Sequence, residues 1–132
     1  MYIYHITTDD VKVSVAPDYL ESHSKPDDHQ YFWSYTITIT NYRETPVQLL
    51  SRHWKITDGH GVLREVKGEG VVGQQPVIHP KHSFEYTSGC PLETEQGFMV
   101  GTFHMLDHNG LEFSVDVPAF SLDSPLYTRV FN

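Results

Sequence analysis

The chain has 132 residues, the length of one domain, and at that size about two-thirds of the unfolded surface can be buried without a metal or a disulfide. Seventeen acidic residues against nine basic ones leave a formal charge of −8, the wrong sign for a phosphate-backbone binder, which excludes nucleic acid as a partner. Cys90 is the only cysteine, which excludes a secreted disulfide scaffold; neither a signal peptide's basic flank and apolar run nor a membrane span is visible, so the expectation is a cytoplasmic protein without a membrane partner.

Apolar residues recur at every second position, the period of a strand. The first such run is VKVSV (11–15), which alternates Val11, Val13 and Val15. The polar stretch 18–30, with a proline and several aspartates, reads as a surface loop. YFWSYTITIT (31–40) is rich in aromatic and β-branched residues and predicts a second strand. VQLLSRHWKIT (47–57) and VLREV (62–66) flank Asp58-Gly59-His60-Gly61, whose glycines suit a tight turn, so these two form a hairpin. The glycine-rich connection 67–81 reads as a second surface loop. HSFEYTS (82–88), FMVGTFHML (98–106) and LEFSVDV (111–117) follow, the last two joined by Asp107-His108-Asn109-Gly110. The segment 124–132 reads as a loose tail or an added edge strand.

About seven strands separated by turn signals, with no amphipathic helix, predict an all-β fold: an immunoglobulin- or fibronectin type III-like antiparallel sandwich, with a barrel as the alternative. The aromatic fraction of 13% means that large rings fill much of the interior, and Trp33 and Trp54 are expected there.

One motif raises a ligand question. Gly68, Gly70 and Gly73 have the G-x-G-x-x-G spacing of a dinucleotide fingerprint. That fingerprint works because the glycines lead into a helix whose N-terminus faces the pyrophosphate. Here Pro76 and Pro80 follow four residues apart and break any such helix, and Glu93 or Glu95, at the distance of the ribose-binding acid, lies beyond another strand. The glycines are read as serving a turn and close packing. The ligand alternative is an anion nest built by Lys67, Gly68, Gly70 and Gly73 without a helix.

Nine histidines raise the question of a metal. His79 and His82 are the candidate pair, three apart across Pro80; His104 and His108 form a second pair at a strand end and in the turn after it. Neither has a cysteine or carboxylate at a recognised ligand spacing, so surface histidines are the plainer reading. Cys90 precedes Pro91 in a turn-like SGCPL with no base placed beside it and reads as a structural thiol. Asp27, Asp28, Glu93 and Glu95 read as solvated loop carboxylates. No nucleophile, base and oxyanion donor assemble from spacing, so the chain is expected to be neither an enzyme nor a cofactor carrier.

HWKITDGHG (53–61), VKGEGVVGQQPVIHP (66–80), FEYTSGCPLETEQGFMVGTF (84–103) and VPAFSLDSP (117–125) together resemble the bacterial ApaG family, collinearly and over nearly the whole chain. One departure is Lys81, where the family pattern usually has glycine after the proline. The resemblance implies a single domain over 1–132 with a fibronectin-type sandwich. It further implies an association with cobalt tolerance and magnesium efflux. Related domains in eukaryotic F-box and polymerase-delta-interacting proteins look like protein-interaction modules. The leading expectation is therefore a non-enzymatic module that offers loops or an edge strand to a protein partner. The alternative is a small-molecule module taking pyrophosphate, a nucleotide or a divalent metal through 67–81. Monomer and homodimer are both compatible with exposed edge strands.

Overall fold

The computed structural model describes residues 3–125. Strict alternation builds its strands. β3 (Tyr31–Asn41) buries every odd-numbered residue from Tyr31 to Asn41, and its even-numbered threonines face out. β2 (Val11–Tyr19) turns Val11, Val13 and Val15 inward with no exposed surface at all. The two pair in register from Val11↔Asn41 to Tyr19↔Trp33.

Two antiparallel sheets result. In one, β1 (Tyr4–Thr8), β2, β3 and β7 (Ser83–Leu92) lie side by side in that order. In the other the order is β5 (Leu63–Glu69), β4 (Val47–Asp58), β8 (Gln96–Asp107) and β9 (Glu112–Asp123), with the short β6 (Val77–Ile78) pairing the start of β4. This is the expected sandwich, and no α-helix occurs between β1 and β9. None of the described residues forms a helix long and apolar enough to cross a membrane.

The seven runs read from the sequence correspond to β2, β3, β4, β5, β7, β8 and β9, and two strands were missed. β1 is mostly polar, and its hairpin turns on Asp9 and Asp10, both at positive φ, without a glycine. Asp tolerates that conformation through its short polar side chain. β6 has only two residues, too few for a period. The two stretches read as loops are also partly regular: Asp18 and Tyr19 belong to β2, Lys67–Glu69 complete β5, and the rest of 18–30 makes two 3₁₀ turns. Of the segment 124–132, only Ser124 and Pro125 lie within the described residues.

The expected turns have a common construction. Asp58 Oδ1 accepts the amides of His60 and Val62, and Asp107 Oδ1 accepts those of Asn109 and Leu111. Those amide bonds, the Leu111 one foremost, hold the Asp107 carboxyl below its ordinary range. Each turn closes on a glycine at positive φ, Gly61 and Gly110.

Trp33 and Trp54 are both buried between the sheets, as expected. Trp54 is met edge-on by Tyr35, Phe103 and Phe120 at 5.4–6.2 Å between ring centroids, contacts worth about 0.5–1.5 kcal/mol each beyond their area. Trp33 donates its indole N–H to the Asp123 carbonyl across the sandwich.

Asn41, fully buried, ties the β3–β4 connection to the end of β6. Its amide donates to the carbonyls of Thr45 and Ile78, and its oxygen accepts the Arg43 amide. Lys81 donates its own amide to the Asn41 carbonyl and sits at φ 68. That left-handed geometry explains why glycine suits this position in the family pattern.

Candidate functional site

The two long sides of the sandwich differ. Along one, β1 and β9 meet, with the Asp116 amide on the Thr8 hydroxyl and the Ser121 amide on the Tyr4 hydroxyl. Along the other, β5 and β7 are the end strands of their sheets and stand apart. Among the described residues Arg64 links them, donating to the Pro91 carbonyl at 3.4 Å and meeting the Cys90 thiol.

A β-bulge decides what faces this open side. In β4 the buried residues are Val47 and Leu49 before the register shift, and Trp54 and Ile56 after it. The extra residue changes which parity points inward. Arg52 consequently shares the inner face with Trp54 and Ile56, opposite Gly68, while Arg64 lies opposite Ile56 on β5. From the other sheet, Tyr86, Ser88 and Cys90 of β7 face them.

Between these rows runs a cleft made of three adjoining hollows of about 350, 350 and 260 Å³. Arg64 and Pro91 are shared by the first two, Arg52 and Ser88 by the second and third. Its middle carries the two guanidinium groups. Asp58 and Glu93 stand at one end and Glu69 at the other.

Arg52 is held in place. Its Nη1 donates to the carbonyls of Glu69 and Gly70, at 3.1 and 2.7 Å. The guanidinium lies over Gly68, where a Cβ would come within 3.0 Å of it. Beside it the Tyr86 hydroxyl is buried with no hydrogen-bond partner among the described residues, and burial pushes its pKa well above the ordinary value. Burial also raises Tyr35, against a hydrogen bond with Ser88 that works the other way. The Cys90 thiol is pushed up to about 11 by burial, with nearby Arg64 opposing. It is therefore protonated at neutral pH and a poor nucleophile.

The glycine motif ends at this cleft. After Gly68 in β5, Gly70 donates its amide to the Leu50 carbonyl, and Val71 and Gln74 exchange both backbone bonds around Val72 and Gly73. Val72 and Gly73 both have positive φ, so the motif forms a tight hairpin turn and enters no helix. Val72 is β-branched, and this conformation is strained for it. The amides of Gly70, Val71 and Gln74 are thereby used internally. Lys67, opposite His53, projects from the outer face of β5, the opposite face from Gly68. The structure thus brings Gly70 and Gly73 to one end of the cleft and turns Lys67 away from it.

His79 and His82 are both exposed, their rings edge-to-face with centroids 6.3 Å apart. No cluster of three or more His, Cys, Asp or Glu able to hold a metal occurs among the described residues. His104 instead pairs with Glu112 at 3.0 Å. A further hollow of about 400 Å³, over the outer face of the five-stranded sheet, is lined by His53, Lys55 and Asp116. Its charges are opposed, and the β1 and β9 strands at its rim already meet each other, so it offers a ligand less than the cleft does.

A family model described as the ApaG domain matches residues 21–107. The chain belongs to the ApaG family. ApaG proteins of Methylocella silvestris and Bradyrhizobium diazoefficiens are 48% and 52% identical to it over 98% of this chain and 100% of their own lengths. A crystal structure of a Bordetella pertussis protein described as an ApaA protein superposes with a TM-score of 0.86 at 50% identity, covering 88% of this chain and 94% of that one. The ApaG domain match begins after β2 and ends with β8, so it includes the rows of β4, β5 and β7 that line the cleft.

Arg52, Arg64 and Tyr86 were not singled out from the sequence. A signal for Arg52 was present: the apolar residues change parity between Leu49 and Trp54, which marks a bulge and moves Arg52 to the inner set.

Proposed function

We propose that this ApaG-family chain is a non-enzymatic protein-interaction module, and that its open side takes an extended segment of a partner protein by strand addition. The observation that carries this is the asymmetry of the sandwich: β1 and β9 close one side, while β5 and β7 leave two unpaired edges flanking a lined cleft. An unpaired edge presents a row of backbone donors and acceptors that a second chain completes, and alternate side chains of that chain then enter the cleft. The protonated, buried Cys90 supports a binding role over a nucleophilic one. Following the family association, we assign the partner to divalent-cation homeostasis involving cobalt or magnesium.

The test is site-specific photo-cross-linking in the native cell, with benzoylphenylalanine placed at Ser88 in the cleft or at Lys55 on the outer face. A discrete adduct from Ser88 alone, mapping to one extended segment of one protein, is the expected result. The same adducts from both positions, or none from Ser88, would remove the reading.

A second reading has one observation in its favour. Arg52, fixed beside the Val72–Gly73 turn, offers a small anion such as pyrophosphate or a nucleotide a cationic partner at the end of 67–81. Localised amide shifts around Gly70 and Gly73 on titration with magnesium and ATP would favour it. The metal form of this reading rests on His79 and His82 alone, and calorimetry with cobalt on the double alanine variant tests it.

A further inference from the structure

We infer that the cleft selects acidic segments: an extended peptide with carboxylates four positions apart and an apolar residue midway between them. This rests on the strand-addition reading and adds the chemistry that the cleft recognises.

The protein as a whole is acidic, with a formal charge of −8, yet the two charged side chains that line the middle of this cleft are both arginines. Their spacing is set by the sheet. Arg52 lies opposite Gly68 and Arg64 stands four residues earlier on the same strand, about 13 Å along it. Side chains i and i+4 of an added strand share a face and have the same separation. Midway between the arginines is Val66, facing Cys90 and Tyr35 across the cleft, an apolar stretch that suits an apolar residue at i+2.

The Arg52 end is prepared for an acceptor. Among the described residues Arg52 spends Nη1 on two carbonyls, and no hydrogen bond is formed by its Nε or Nη2. The neighbouring Tyr86 hydroxyl is a buried donor with no acceptor among the described residues. A carboxylate oxygen satisfies both, in charge-assisted bonds that are stronger than neutral ones. Arg64 reaches the Pro91 carbonyl only at 3.4 Å and otherwise meets the Cys90 thiol, two weak partners that a carboxylate displaces easily. The acidic groups at the Arg64 end of the cleft, Asp58 and Glu93, bound the site and repel a peptide whose carboxylates fall beyond the arginine spacing.

The experiment is an amide NMR titration of the full chain with three probes. The first is an acetylated, amidated heptapeptide of threonines carrying glutamate at its second and sixth positions and valine at its fourth. The second is its glutamine counterpart, and the third is inorganic pyrophosphate. The glutamate peptide is expected to shift Val66, Ser88, Gly89 and Cys90 saturably, and the glutamine peptide to bind about tenfold more weakly. Arg52→Gln and Arg64→Gln each weaken the glutamate peptide about tenfold. Tyr86→Phe also weakens it while leaving the melting temperature of the free protein unchanged or higher, since the free protein loses only an unsatisfied hydroxyl. That opposition of signs identifies a binding role and distinguishes it from a structural one.

Equal binding of the two peptides at the cleft would overturn the acidic selection while leaving strand addition standing. No binding of either peptide overturns both. Pyrophosphate shifts around Arg52 and Tyr86 without any from the peptides would replace both with a small-anion site.

Discussion

Replacing Asn41 with alanine removes three hydrogen bonds from a fully buried position: two donated by Nδ2, each 2.9 Å long, to Thr45 and Ile78, and one accepted from the Arg43 amide at 2.8 Å. Each is worth about 1 kcal/mol net, and the Ile78 carbonyl is buried, so losing its partner adds part of a desolvation penalty. The expected loss is about 3–4 kcal/mol. For 132 residues the unfolding entropy is about 0.28 kcal/mol per kelvin, so the melting temperature falls by about 11–14 °C. Asn41→Asp, which keeps the acceptor for Arg43 and loses both donors, falls at least as far at neutral pH because its charge then faces two carbonyl oxygens. Urea denaturation followed by tryptophan fluorescence and far-UV circular dichroism measures both variants. A loss below about 1 kcal/mol for Asn41→Ala would refute the assignment of the Asn41 side chain as the tie between the β3–β4 connection and the end of β6.

The glycine motif separates into unequal positions. At Gly70, φ is +64 and a Cβ would collide with the Gln74 carbonyl, so Gly70→Ala should cost about 2 kcal/mol or more; at Gly73, φ is +78 but nothing lies within 4 Å, so Gly73→Ala should cost about 1 kcal/mol. Equal urea midpoints for the two variants would contradict this account. Cys90 makes folding pH-dependent on the alkaline side. Its folded pKa of about 11 exceeds the unfolded value of about 8.5, so the protonated thiol's contribution is fully present below about pH 8.5 and is lost as pH rises through 11. Cys90→Ala should flatten that part of the stability curve, and an unchanged slope would show that other groups carry it. Consistently, iodoacetamide at pH 8 should modify native Cys90 far more slowly than the urea-unfolded chain.

The positions where sequence reasoning succeeded are those whose signal is local. Val11, Val13 and Val15, and the odd-numbered residues of β3, state their facing by alternation alone. Asp58 and Asp107 announce their turns through side chains that bond amides two and four residues on. β1 escaped because its polar residues and Asp9-Asp10 turn lack the usual pattern, and β6 because two residues carry no period. Lys81 is a middle case. Its place in the family pattern marked it as unusual, and its positive φ supplies the reason.

For the cleft the division is sharper. By itself the sequence determined a β-sandwich, buried tryptophans, one unpaired cysteine and a glycine motif with no helix to serve, because periodicity, composition and proline placement are properties of neighbouring residues. It also carried the family. Only the tertiary structure decided that the outer edges of β5 and β7 stay open on the same side, that Arg52 and Arg64 face Tyr86 and Cys90 across a gap, and that Lys67 points away from the glycines it adjoins in sequence. Which edges stay open depends on how all the strands order themselves in two sheets. A convergence of side chains from strands some 20–40 residues apart follows from that ordering, so no local pattern in the chain records it.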